Sequence, residues 1–167
     1  MSHILEIKDL QVQYHTEDGT VYALNHVDLE LDDGETLGLV GETGAGKTTL
    51  AKSIMRLIPD PPGKIEGGVI EFEGRDLLKA SGAEIRAVRG NQISMIFQEP
   101  MTSLNPVYQV GRQVQEAILL HQKVSREEAK RQVIEIFREV GIPEPEKRYN
   151  SYPHQLSGGL RQRVMIG

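Results

Sequence analysis

The sequence predicts an α/β fold in two parts, and three observations predict it. The first forty residues alternate apolar and polar positions as strands do. A short run, apolar on both faces, then passes straight into a glycine-rich loop and a helix. From Pro106 to Gly141 the apolar residues recur at helical spacing.

Composition narrows the class before any motif is read. The 167 residues suit one domain or most of one, and 38% hydrophobic content is enough for a packed core. A net charge of −5 weighs against a nucleic-acid surface. With no cysteine there is neither a disulfide framework nor a thiolate metal site. No apolar run approaches the roughly 18 residues of a membrane span. The start, "MSHILEIKDL", is too acidic for a signal peptide. The expectation is a soluble, cytosolic chain.

In "ILEIKDLQVQY" the apolar positions Leu5, Ile7, Leu10, Val12 and Tyr14 are spaced by two, with a slip at Lys8-Asp9 that reads as a bulge. Asp18-Gly19 is a hairpin signal. Val27, Leu29 and Leu31 alternate again, and Asp33-Gly34 closes that strand. "TLGLV" then suits a central strand covered on both sides.

That run enters "GETGAGKTTL", a phosphate-binding loop made of Gly41, Glu42, Thr43, Gly44, Ala45, Gly46, Lys47, Thr48 and Thr49. Glycines let backbone N–H groups turn inward around an anion. The helix that follows points its positive end at the same place. Lys47 adds a full charge for the β- and γ-phosphates, and Thr48 offers Mg²⁺ a hard oxygen ligand. Pro59 stops the helix.

"KIEGGVIEFEGRDLL" reads as an antiparallel hairpin turning at Glu73-Gly74, with Val69 or Ile70 and Phe72 packing. Ile93 to Phe97 reads as another strand ending in Gln98. By itself Gln98 is a polar loop residue, although the carboxyl end of such a strand is where open parallel sheets bind ligands. Val110, Val114, Ala117 and Ile118 share one helix face. Ser125 and Glu128 match a capping box, and Ala129, Val133, Ile136, Phe137 and Val140 follow at helical spacing until Gly141. The Glu and Arg residues between them read as a solvated face. "IPEPEKRYNSYPHQ" reads as an extended connector, and its His154 as a loop or cap residue, since no partner sits at metal spacing. Last comes Ser157-Gly158-Gly159 at a helix start. It reads either as an ordinary N-cap or as a second anion-binding turn. Two such turns far apart in one small domain reach one nucleotide most simply across a head-to-tail dimer.

Taken together, "GETGAGKTT", "IFQEP" and "LSGGLRQR" resemble the ATP-binding subunit of an ABC transporter. "GLVGETGAGKTTLAKSIMRLIP", "MIFQEPMTSLNPVYQVGRQVQEAI" and "YPHQLSGGLRQRVMI" resemble the oligopeptide and dipeptide importers in particular. The resemblance covers nearly all of this chain and about the first half of the family's subunit. It implies a P-loop NTPase of ABC type with an N-terminal antiparallel β subdomain and a helical subdomain. The implied division is 1–100 for the β subdomain and P-loop core, 101–156 for the helical subdomain, and 157–167 for the start of the signature helix.

The resemblance also assigns roles. Gly41 to Thr49 correspond to the Walker A loop, binding ATP with Mg²⁺. Gln98 matches the glutamine that touches Mg²⁺ and reports nucleotide state to the membrane subunits. Ser157, Gly158 and Gly159 match the signature that closes on a partner's γ-phosphate. Tyr14 stands where the family places an aromatic against adenine, with Tyr22 a nearby competitor. Lys47 and Gln98 are the implied catalytic positions, and Thr48 and Gln98 the implied metal contacts. The implied partners are a second ATPase subunit and integral membrane permease subunits, with no nucleic acid, at the cytoplasmic face of the cell membrane.

Leu160 departs from the family by replacing the usual glutamine. The family's later Asp, Glu and switch histidine have no counterpart in these residues, so the resemblance implies a truncated chain with an incomplete sheet. Such a chain by itself binds nucleotide without turnover. A chromosome-maintenance or repair ATPase shares these motifs but places a long heptad coiled coil between them. Here that interval holds short capped helices and prolines.

Overall fold

The computed structural model describes residues 3–97 and 103–167. They form two compact units, 1–89 and 90–167.

The first unit is built on a four-stranded antiparallel sheet in the order β2-β1-β3-β4. Strand β1 is Leu5–Thr16 and β2 is Gly19–Leu31. The slip at Lys8-Asp9 is a bulge: Ile7 pairs with Leu29, while Leu10, three residues on, pairs with Val27. Asp9 takes a left-handed backbone, φ 52°. The extra residue lets Ile7 and Leu10 face the core together, where both are buried. Strand β3, Gly63–Phe72, turns through Glu73 (φ 48°) and Gly74 (φ 75°) into β4, Arg75–Asp76. Two left-handed residues in a two-residue loop suit the twist of a hairpin. Ile70 and Phe72 are the packing positions there.

Helix α1, Lys47–Ile54, buries Leu50 and Ser53. Helix α2, Gly82–Val88, buries Ile85 and Val88. It was not foreseen, although Ser81 and Glu84 form a complete capping box: Glu84 N–H donates to Ser81 Oγ at 3.3 Å and Ser81 N–H to Glu84 Oε2 at 2.7 Å.

Two expected strands are absent. "TLGLV" carries no ladder, and Leu37, Leu39 and Val40 are 47%, 48% and 94% exposed. Ile93 makes only an isolated bridge, and Ile96 and Phe97 are exposed. A run apolar on both faces forms a strand only when neighbours pair with it and layers cover it. Among the described residues, none pairs with "TLGLV".

The second unit is helical. Helix α3 is Val110–His121 and α4 is Arg126–Glu139. Their apolar faces meet in a core of Val110, Ile118, Ala129, Val133 and Phe137. Ala117, assigned to that face, is exposed instead, one residue out of line with Val110, Val114 and Ile118. The capping box at α4 is half formed. Ser125 Oγ accepts from Glu128 N–H at 3.1 Å, but the Glu128 carboxylate turns to Arg131 and Gln132. Val140 follows as the C-cap and Gly141 is left-handed, φ 72°.

The segment read as an extended connector contains a helix, α5, Pro145–Tyr149. Pro145 begins it, where a missing N–H costs nothing, and Tyr149 anchors it. The Tyr149 ring lies against Gly111, leaving no room for a Cβ, and its hydroxyl donates to Gln115 Oε1 at 2.5 Å. A short 3₁₀ turn, Pro153–Gln155, leads to helix α6, Gly158–Ile166. No helix among the described residues is long and apolar enough to cross a membrane.

Candidate functional site

The loop before α1 is an open cradle with backbone geometry only glycine supports cheaply. Gly44 has φ 88° and Gly46 φ 85°. At Gly46 an added Cβ would stand 2.6 Å from the Ala23 carbonyl oxygen and 2.9 Å from Leu24 Cδ2, so the helix start sits directly on β2. Gly46 caps α1 with no side-chain bond, which leaves the first N–H groups of the helix free for a ligand.

Lys47 crosses the loop. Its ammonium donates to the carbonyl oxygens of Gly41 and Glu42, each at 2.6 Å. An ammonium has three N–H donors. Two are spent holding the loop closed and the third remains for an anion. Thr48 is exposed beside it, while Thr49 is half-buried and its carbonyl accepts from Ser53 Oγ at 2.7 Å. Positive-φ glycines, free helix N–H groups and a fixed ammonium all favour negative charge at one point. This donor set fits the phosphates of a nucleotide. For Mg²⁺ the fit is narrower. Among the described residues no cluster of three His, Cys, Asp or Glu exists to cage a metal. An ion here would be held by phosphate oxygens, water and the Thr48 hydroxyl, the usual habit of Mg²⁺.

The other expected residues lie elsewhere. Tyr14, half-buried on β1, pairs with Val21 and Gly63, and its ring fills the space where a Gly63 Cβ would be. Tyr22 is 66% exposed on β2, next to the Ala23 on which Gly46 rests. Gln98 lies outside the described residues. In the second unit Ser157 caps α6, its hydroxyl accepting from Leu160 N–H at 3.3 Å. Gly158 and Gly159 are exposed, with open space around each.

Sequence reasoning missed the arginines that hold these helices. Arg89 Nε donates to the Met55 carbonyl at 2.8 Å and Arg89 Nη2 to the Arg56 carbonyl at 2.7 Å, at the far end of α1. Arg163 of α6 donates to the Gly141 carbonyl at 2.5 Å and to the Val140 carbonyl at 3.3 Å, at the end of α4. The only sequence signal for either is an arginine near a buried apolar position.

A glycine-rich loop crossed by a lysine and opening a helix is the mark of the P-loop class. The model of the ABC transporter family matches residues 24–167, and the chain belongs to that family. It is 51% identical over 166 residues to the oligopeptide transport ATP-binding protein OppD of Bacillus subtilis (strain 168), covering 99% of this chain and 46% of the relative. It is 46% identical to the dipeptide transport ATP-binding protein DppD of the same organism, covering 99% and 50%. The chain thus spans about half the length of the curated relatives it matches. Among solved structures it matches the ATP-binding cassette MJ0796, a dimer in a post-hydrolysis state bound to ADP and Pi. There the TM-score is 0.84 at 26% identity, over 97% of this chain and 67% of that one.

Proposed function

We propose that this chain binds ATP with Mg²⁺ at Gly41–Thr49, and that in the whole protein this binding and hydrolysis power import of peptides or similar solutes through a membrane transporter. The observation that carries the reading is the Lys47 ammonium bridging the Gly41 and Glu42 carbonyls beneath a free helix N-terminus. The names of the relatives support the solute class.

In this reading, Lys47 and the loop N–H groups neutralise the β- and γ-phosphates, and Thr48 contributes its hydroxyl to the metal. Gln98 senses nucleotide state, and Tyr14 packs against the adenine. Ser157, Gly158 and Gly159 close on the nucleotide of a second subunit in a head-to-tail dimer. The dimeric form of the MJ0796 cassette supports that arrangement. Residues 1–100 act as the nucleotide-binding part, 101–156 as the part facing permease subunits, and 157–167 as the signature helix. The working place is the cytoplasmic face of the membrane, held there by those permeases. The twelve and fourteen residues of α3 and α4 support a transporter over a coiled-coil ATPase.

The test is Mg-ATP titration of the chain and of Lys47→Ala. A lost charge-assisted hydrogen bond is worth about 1.5–3 kcal/mol, so affinity should fall about ten- to a hundredfold. Equal curves for the two proteins would remove the assignment.

A further inference from the structure

The far end of α1 is tied down by residues outside the Gly41–Thr49 loop. Arg89, at the C-cap of α2, places two donors on the carbonyls of Met55, the C-cap of α1, and of Arg56, the residue after it. Arg56 answers in the other direction. It leaves the helix with a left-handed backbone, φ 50°. Its Nη1 then donates to the Ala80 carbonyl at 2.6 Å and the Leu77 carbonyl at 3.4 Å, in the segment leading into α2. The two guanidinium groups thus lace α1 to residues 77–89 in both directions.

The end of α1 also closes locally: Arg56 N–H donates to the Ser53 carbonyl at 2.9 Å and Leu57 N–H to the Lys52 carbonyl at 2.8 Å. The Arg89 bonds are added to that turn from 33 and 34 residues away in sequence, on the two carbonyls it leaves open. The placement of Arg89 is itself fixed. The Ser81–Glu84 capping box starts α2, and Ile85 and Val88 bury its inner face.

We propose that Arg89 is a positioning residue for the phosphate loop, acting with Arg56 as a clasp on the C-terminal end of α1. An eight-residue helix is a rigid rod about 12 Å long. Gly46 resting on the Ala23 carbonyl is its pivot at one end, and the clasp is its second fixed point. Two fixed points set the axis, and the axis sets where the first N–H groups and the Lys47 ammonium aim. A cation at the carbonyl end also opposes the negative pole of the helix. Removing the clasp leaves the loop intact in composition but free to tilt.

The functional half of this inference rests on the proposed ATP binding, so the experiment has two independent readouts. In the full chain, Arg89→Met and Arg89→Lys are compared with the native protein by Mg-ATP titration and by amide hydrogen exchange over residues 41–49 without nucleotide. Arg89→Met should weaken ATP about tenfold, equivalent to about 1.4 kcal/mol of lost preorganisation, and should speed loop exchange. Arg89→Lys keeps the charge but loses the fork, and should fall between the two on both measures. A variant that melts earlier yet keeps native affinity and native loop exchange would reduce Arg89 to a stabilising cap and overturn the proposal. If Arg89→Met does not fold, native values for Arg89→Lys overturn it alone. If the native chain fails to bind ATP, the functional reading falls, and loop exchange still decides the clasp.

Discussion

At the start of α1 the cap is Gly46, left-handed at φ 85° and without a side-chain bond. At the start of α6 the cap is Ser157, extended at φ −64°, with its hydroxyl already engaged by Leu160 N–H. The first turn is stretched over a bridging ammonium and seated on a strand. The second is closed upon itself, with Gly158 and Gly159 facing open space. In sequence both read as glycine turns opening a helix, yet among the described residues only the first is crossed by a lysine ammonium. The second holds an exposed helix start on a well-packed body, a geometry that suits a phosphate brought by another subunit. What separates them is the side chain committed to the loop: Lys47 organises one, and among the described residues no cation bridges the other.

The comparison is broken most forcefully from inside the second unit. Phe137 is fully buried in the cluster that also holds Val164 of α6. Phe137→Ala should cost about 3–5 kcal/mol, read by urea denaturation, because it removes the floor on which α6 rests. If the two turns are independently built, the folded protein should still bind Mg-ATP with native affinity. A parallel loss of affinity in folded protein would show that they are not.

Gly46→Ala attacks the other side. The left-handed backbone costs about 1–3 kcal/mol for a non-glycine residue, and the new methyl meets the Ala23 carbonyl at 2.6 Å, which is backbone and yields little. Both stability and ATP affinity should fall, since the pivot of α1 moves. Native affinity in this variant would mean that the seating of the loop on β2 is incidental.

Ser157→Ala should be milder. An N-cap hydroxyl is worth about 1 kcal/mol, so thermal stability drops by a few degrees at most. ATP affinity of this chain should not change, because Ser157 closes only its own helix here. A weaker titration would place Ser157 at the site within one chain.

Much of this was legible in the sequence where local covalent geometry decides. Glu73-Gly74 demands a tight turn, Lys8-Asp9 breaks an alternation that Ile7 and Leu10 both need, and the Gly41–Thr49 spacing has few other uses. The family resemblance rested on that loop together with "IFQEP" and "LSGGLRQR". What was not legible depends on neighbours. "TLGLV" has the composition of a strand, but composition does not supply a pairing partner. Pro145 made α5 look like a connector because a proline opening a helix and a proline interrupting one are the same letter. Arg89 and Arg163 take their roles from carbonyl partners 22 to 34 residues away in sequence. "SGAE", Ser81 to Glu84, spells a capping box at the start of α2. It starts the helix whose C-cap is Arg89.

That capping box yields the smallest effect. The Glu84 carboxylate is held below its usual range by the Ser81 hydroxyl first and by the Ser81 backbone N–H second. Since its value is depressed in the folded protein, its contribution is present above the unfolded-state value and is lost as pH falls through the folded-state one. At neutral pH the native chain should therefore be slightly more stable than Glu84→Gln, and the two should converge in acid, where the native carboxylate is protonated. The side chain is exposed, so solvent screens the difference. Thermal melts of both proteins across the acidic range test this. A gap that persists or widens in acid would mean that the carboxylate charge does not stabilise the start of α2. The placement of Arg89, and with it the hold on the far end of the phosphate-loop helix, would then rest on Ile85 and Val88 alone.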